Sequence, residues 1–442
     1  MNRTAKTAKP RWVQLTAAII GNALEWYDFA VFAFLAVIIS KVFFPAAGEY
    51  TGLLLTLATF GVGFLTRPLG GIAIGMYADR KGRKAALQLI IALMTASLLL
   101  MVLTPSYNTI GIAAPLLIVF ARLLQGLATG GEFASATAYL VEAAPPGQKG
   151  IYGAWQMFGQ GLANFFGALT GFLMTYLFSE QQLLDGMWRV PFVIGLLIAP
   201  VGWWMRRHLE EPEASVAQRA TGEVTSLRTA LSKHPKGIAA TLALTTCATT
   251  SAYIFIIYMP TFVARQSHIP LNDAFMAQVS GLIAFIITVP VTGALSDKYG
   301  RKAIMLAFLV PYALLIYPLF AWVQSAPVFS NLLFIYVVLS IFLGGFFGPF
   351  STALGEQFPT AVRSSGLAIC YNLAVMIFGG FAQFIVTWLI QTTGVTLAPV
   401  FYTLAGSVLG VIGCLLLAAP KQLQQGVKPQ EAVKLTVREM AH

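Results

Sequence analysis

The chain has 442 residues, 57% hydrophobic and only 10% charged, with a formal net charge of +11. An ordinary globular protein is about a quarter charged, and a mean hydropathy of +0.75 leaves too little polar surface for the two or three soluble domains that length alone suggests. The Lys and Arg excess sits in short loops between apolar runs, without aromatic interleaving, so no nucleic-acid partner is expected.

A bilayer core about 30 Å thick takes roughly 20 apolar residues per crossing helix. Such runs fall near 14–42, 51–77, 85–104, 111–140, 152–178, 189–206, 237–264, 273–296, 303–323, 330–355, 366–391 and 397–419. The expected fold is all-α and integral to a membrane, with twelve transmembrane helices. The N-terminus "MNRTAKTAKPRW" has the basic character of a signal peptide, but the apolar run after it is too long and lacks a small-residue cleavage pattern. It reads as a retained first helix.

That first helix carries "GNALEWYDFAVFAFLAVII", with Glu25 and Asp28 three residues apart on one face. Counted from residue 12 they lie about 20 Å along the helix, near the midplane. Two ionised carboxylates so close repel each other and lose hydration, so at least one is expected to take up and release a proton as the site alternates between water and closure. Asp28 is the favoured proton-coupling acid, with Glu25 as its partner or a second site. The competing reading pairs them structurally with Arg122 or Arg67.

In the second run Arg67 precedes Pro68 at similar depth, where "RPLGG" predicts a kink; Arg67 is a candidate second substrate cation. The following loop, "GMYADRKGRKA", has Gly75 for close helix approach, Gly82 for a tight turn, and Asp79 and Arg83 four residues apart. A carboxylate there can bond locally or face the positive N-terminal end of a helix from elsewhere in the fold.

The run 111–140 is long enough to tilt or project beyond the bilayer. Arg122 lies about 15 Å deep in it, where a charge costs from ~2.5 to over 10 kcal/mol and marks a functional site by default. Gln125, three residues on, shares its face. A guanidinium grips carboxylates bidentately, so Arg122 is the first choice for an anionic substrate, with Gln125 beside it; a permanent ion pair with Glu25 or Asp28 is the alternative. Glu132, some 15 Å further along by the same rise, suits an inner proton acceptor or a gate.

The polar stretch 206–236 divides the helices six and six and suggests a short amphipathic surface helix. Around it the sequence repeats. "GMYADRKGRKA" (75–85) returns as "GALSDKYGRKA" (293–303), carrying Asp297 and Arg301. Glu142-x-x-Pro145-x-x-x-Lys149 returns, after nearly the same displacement, as Glu356-x-x-Pro359-x-x-x-Arg363. The expected organisation is an N-terminal six-helix bundle (1–205), a cytoplasmic linker (206–236), a C-terminal bundle (237–420) and a cytoplasmic tail (421–442). The C-terminal half has no charge at midplane depth and offers uncharged polar groups, Tyr253 and Asn372 foremost, with Thr249, Thr250, Tyr258, Tyr371 and Gln383. With the N-terminus inside, 23 of the 28 Lys and Arg fall on the cytoplasmic side, so the positive-inside rule places both termini there. Cys247, Cys370 and Cys414 lie in apolar runs without CxxC spacing, no His lies deep in a run, and "GxxxxGK[ST]" is missing. No disulfide, metal, cofactor or ATP drive is expected.

With these motifs the sequence resembles the major facilitator superfamily, through "GMYADRKGRK" between helices 2 and 3 and "RLLQGLATGGE" (122–132) on helix 4. "GNALEWYDF", "FLTRPLGGIAIG", "YNTIGIAAPLLIVFARLLQG", "WRVPFVIG", "GEQFPTAVRSSG" and "MIFGGFAQFI" narrow the resemblance to its metabolite:proton symporter family, on the citrate–proton side. The resemblance implies two pseudo-symmetric bundles that alternate access in a bacterial inner membrane. It also implies a cytoplasmic latch made of Gly75, Asp79, Arg83, Asp297, Arg301, Glu142, Glu356 and Arg363, and a part for Arg122 in proton coupling. The expected function is proton-coupled import of a small organic acid, a tricarboxylate such as citrate or tricarballylate, by a monomer that needs only solute, protons and lipid.

Protons suit such a cargo. One charge against 100 mV is worth about 2.3 kcal/mol, so a trivalent anion entering a negative interior opposes roughly 7 kcal/mol. Other readings are a dicarboxylate, aromatic-acid or osmolyte symporter of the same family and, in another class, a drug–proton antiporter. The run "GAWQMFGQGLANFFGALTG" lacks the Gly-Pro motif that antiporters of the superfamily share on helix 5, and the tail is too short for the coiled coil of osmosensing relatives. An enzyme would need a catalytic cluster, and none is present beyond the transport candidates.

Overall fold

The structure, a computed structural model, describes residues 11–81, 83–197, 200–201, 234–359 and 363–417. The tail and nearly all of the expected linker with its surface helix lie outside these residues. Among the described residues eight helices are long and apolar enough to cross a membrane, nine with the bent first pair, and three further helices complete the twelve expected runs in chain order. The first, α1 (Arg11–Phe34), bends by 66° at Leu35 into Ala36–Phe43. Next, α2 is Gly48–Leu65 followed by Arg67–Lys81, α3 is Arg83–Leu103, and α4 is Ala113–Thr129 followed by Glu132–Ala143. The N-terminal half ends with α5 (Lys149–Leu177) and α6, which begins at Val190–Gly195. In the second half α7 is Pro235–Gln266, α8 Leu271–Tyr299, α9 Arg301–Ser325, α10 Phe329–Gly355, α11 Arg363–Thr393 and α12 Ala398–Leu416. The bundles meet along α5 with α8 and along α2 with α11.

Several spans are interrupted where the sequence reading had them continuous. The long fourth run is a 31-residue span, Ala113–Ala143, interrupted at Gly130–Gly131. The kink expected at "RPLGG" is a break at Thr66, just ahead of Arg67, because Pro68 has no N–H to continue the ladder. Wide π turns occupy Ala252–Tyr258 in α7 and Val375–Gly379 in α11.

These irregularities follow the repeat. In the register that carries Gly75 onto Gly293, the break of α4 at Gly130 falls on Gly348, where α10 is interrupted. The bend at Leu35 falls on Tyr253 in the α7 π turn. A Cβ on Gly63 would stand 3.1 Å from the Arg122 carbonyl oxygen, and one on Gly281 would stand 2.9 Å from Ser340 Oγ. Gly281 and Ser340 are the counterparts of Gly63 and Arg122 in that same register. The crossings are therefore copied, but the charges are not. Where the first half has Glu25, Asp28, Arg67 and Arg122, the second has Ala243, Thr246, Phe285 and Ser340.

Candidate functional site

All four of those charged side chains are buried in the first bundle, Arg122 completely and Asp28 to within 1%. The i, i+3 spacing that puts Glu25 and Asp28 on one side of α1 does the same for Trp26, Phe29 and Phe32, and this stripe houses the cations. The Arg122 guanidinium lies 3.8 Å from the Phe32 centroid and 5.7 Å from that of Phe29. Arg67 lies 4.7 Å from the same Phe29 ring, 4.2 Å from Phe64 and 5.0 Å from Trp26. Cation–π attraction at such desolvated faces is worth about 2 kcal/mol each, a partial substitute for lost hydration.

The charges divide into two groups. Asp28 faces inward within its own bundle: a Cβ on Gly195 of α6 would come within 3.8 Å of the Asp28 Cβ. Arg122 is its foremost electrostatic neighbour and Arg67 a lesser one. Neither Asp28 oxygen accepts a hydrogen bond, and Arg122 Nε and Nη2 find no acceptor; Arg122 Nη1 donates to Gln125 Oε1. The pair attracts without being locked by a hydrogen bond.

Arg67 instead looks toward the other bundle. It acts electrostatically on Tyr253 and on Tyr371, and Tyr253 packs edge-on against Phe64 at 5.5 Å. Arg67 Nε and Nη2 are buried without an acceptor. Glu25 shares this side through its field at Tyr371. The structure thus places Arg67, rather than Arg122, where the halves meet.

Glu132 opens the second helix of α4, and its Oε2 is buried without a hydrogen bond. The next residue, Phe133, stacks on Tyr371 across the interface at 3.7 Å. Asn372 donates to the carbonyl of Gly130, freed by the break in α4, so its amide is engaged between the bundles. Sequence reasoning missed the aromatic stripe, Phe64 and Gln160. The stripe was detectable in its three-residue recurrence beside the acids; Gln160 carried no local signal.

The repeated loop motifs close one end of the molecule. Both Asp297 oxygens accept backbone N–H bonds from the first turn of α5, Gly150 at 2.7 Å and Ile151 at 3.1 Å, where the helix dipole adds to the attraction. Arg301 Nη1 bonds Asp297 at 2.8 Å and Nη2 meets Glu356 at 3.4 Å. Arg363 meets Glu142 of the other half at 2.8 Å. The surroundings of Gly75 and the side chains of Asp79 and Arg83 lie outside the described part. A Cβ on Gly150 would collide with the Gly293 carbonyl oxygen, so only glycine lets α5 and α8 approach this closely. The opposite end is sealed differently, by Phe34 edge-on to Phe275 at 5.8 Å, Phe275 on Gly171, and an exposed ion pair of Arg265 with Glu49 at 3.3 Å.

Hydrogen bonds to a charged group contribute about 1.5–3 kcal/mol each. Asp297→Asn should therefore accelerate amide hydrogen exchange in peptides spanning 149–153 at least about tenfold. Unchanged protection there would remove Asp297 from the closure of this end.

A family model described as "Sugar (and other) transporter" matches residues 13–425. The chain is 34% identical over 397 residues to the citrate-proton symporter of Salmonella typhi, covering 90% of this chain and 92% of that protein. It is 32% identical over 412 residues to the proline/betaine transporter of Escherichia coli strain K12, covering 90% and 81%. The crystal structure of a D-xylose-proton symporter superposes with a TM-score of 0.72 at 17% identity, covering 92% of this chain and 97% of that one.

Proposed function

Because the chain belongs to the sugar (and other) transporter family, within the major facilitator superfamily, we propose that it imports a small organic acid with protons by alternating access, the acid being a tricarboxylate such as citrate or tricarballylate. It is a multi-pass membrane transporter and not an enzyme. The tricarboxylate rests on the citrate-proton symporter relative. The observation that carries the mechanism is the division of charge in the first bundle. Asp28 and Arg122 attract each other without a hydrogen bond between them, and Arg67 has two buried donors without an acceptor. Such an acid can exchange its proton when a neighbouring cation is drawn to a carboxylate solute.

The Lys and Arg distribution supports a bacterial inner membrane with both termini and the loop-motif end cytoplasmic. The six-and-six division supports bundles at 1–205 and 237–420, a linker at 206–236 and a tail at 421–442. The closed loop-motif end then keeps the cargo path from opening to the cytoplasm, with Asp79, Arg83 and Gly75 as the first-half counterparts of the Asp297 arrangement. In this scheme Glu25 and Glu132 are further proton acceptors along the path, and Gln125 holds Arg122. The carrier is proposed to work as a monomer.

Uptake of labelled citrate into proteoliposomes with an alkaline interior tests this. Accumulation above the external concentration, collapsed by a protonophore, is expected. Accumulation of labelled betaine instead of citrate would establish an osmolyte carrier, and efflux of cations on inward proton flow would establish an antiporter.

A further inference from the structure

We propose that Arg67 and Gln160 of the first bundle, with Tyr253 and Tyr371 of the second, form the subsite that reads one ionised carboxylate of the cargo. The inference rests on the organic-acid reading above and assigns its recognition to this side of the site, apart from Asp28 and Arg122.

The Arg67 donors are already in place and unused. The Nε and Nη2 atoms of Arg67 form one side-on edge of the guanidinium, the edge that meets both oxygens of a carboxylate at once. Both are buried without an acceptor in a side chain only 2% exposed. Gln160 Nε2, on α5, is buried, with the Tyr371 side chain as its hydrogen-bonding neighbour across the interface. Orphaned donors cost about 1–3 kcal/mol each, more when charged, and a carboxylate bound at the Arg67 edge would remove that cost.

Three aromatic faces, Trp26, Phe29 and Phe64, hold the Arg67 plane. They leave its edge to do the recognising, and they engage the position that a cationic headgroup would otherwise take. Across the interface, Tyr371 is within side-chain reach of Gln160, and both Tyr253 and Tyr371 feel the Arg67 charge. Tyr253 sits on the α7 π turn and Tyr371 just before that of α11. The subsite is complete only while these segments rest against the first bundle, so an ionised carboxylate favours the closed arrangement. A neutral amide of the same shape brings no charge to the Arg67 edge.

Purified full-length protein in detergent is titrated with citrate, tricarballylate and the tricarballylate monoamide, following tryptophan fluorescence (Trp26 lies on Arg67) and calorimetry. The wild type should bind citrate and tricarballylate, the monoamide at least about tenfold more weakly. Arg67→Lys keeps the charge but loses the planar edge; it should bind tricarballylate about ten- to a hundredfold more weakly. Arg67→Gln should also bring acid and monoamide to within about threefold of each other. Gln160→Ala, which disturbs no charge, should weaken the acid more than the monoamide. Wild-type affinity in Arg67→Lys and Gln160→Ala, with acid–amide discrimination intact, would overturn the subsite and leave the transport function standing. A folded wild type that binds neither tricarboxylate would overturn the organic-acid reading and the subsite together.

Discussion

Asp28→Asn is expected to abolish uphill accumulation of the solute while leaving counterflow exchange measurable. The substitution keeps the shape of the side chain and removes its ability to carry a proton. Asp28 is buried to 1%, has no hydrogen bond on either oxygen, and is held by the fields of Arg122 first and Arg67 second. With a neutral amide at this position both bundles can still close around the solute, so labelled solute exchanges for unlabelled. The pH gradient then loses the acid beside Arg122 through which it acts on the solute. Driven uptake should fall at least about a hundredfold, by analogy with the loss of a group acting in proton transfer. Proteoliposomes measure both quantities side by side, and unaltered accumulation would take Asp28 out of the mechanism.

Arg122→Gln should destabilise the protein more than any other single charge change, because it leaves Asp28 buried without its foremost cation. Removing one partner of a buried pair costs about 3–5 kcal/mol, against a few tenths for an exposed pair such as Arg265 with Glu49. The double variant Asp28→Asn with Arg122→Gln should recover much of the lost thermal stability, since it removes both charges together. Thermal unfolding in detergent reads the three variants, and exchange activity separates the two roles open to the arginine. If Arg122 serves the proton, the double variant still exchanges solute; if Arg122 is itself the anion clamp, exchange is lost with it. Equal stability of Arg122→Gln and wild type would show that the two side chains do not support each other.

Much of this architecture is legible in residue order because the bilayer imposes a coarse rule, one apolar run per crossing, and because the duplication leaves a near-copy of the 75–85 loop at 293–303. Asp297 and Arg301 could be paired from their spacing alone, and the structure has them in contact. Local periodicity says nothing of where a span breaks when both sides of the break are apolar. Gly130 and Gly131 lie inside the apolar run 111–140, yet α4 stops there and frees the carbonyl that Asn372 binds. The partition of the cations was illegible for a similar reason. Arg67 and Arg122 have equal depth in the sequence, and only helix rotation aims one between the bundles and the other within one. Gln160 depends on a contact between α5 and α11, which lie in different halves of the chain.

The two ends of the molecule are fastened by different forces, and temperature acts on them unequally. Contacts between aromatic rings and glycine surfaces owe their strength to water released, a drive that weakens on cooling; carboxylate-to-amide bonds lack that dependence. Chilling should thus loosen the Phe34–Phe275 seal before the Asp297 fastening gives way. A cold membrane would hold more of these carriers open at the Phe34–Phe275 end, waiting for cargo.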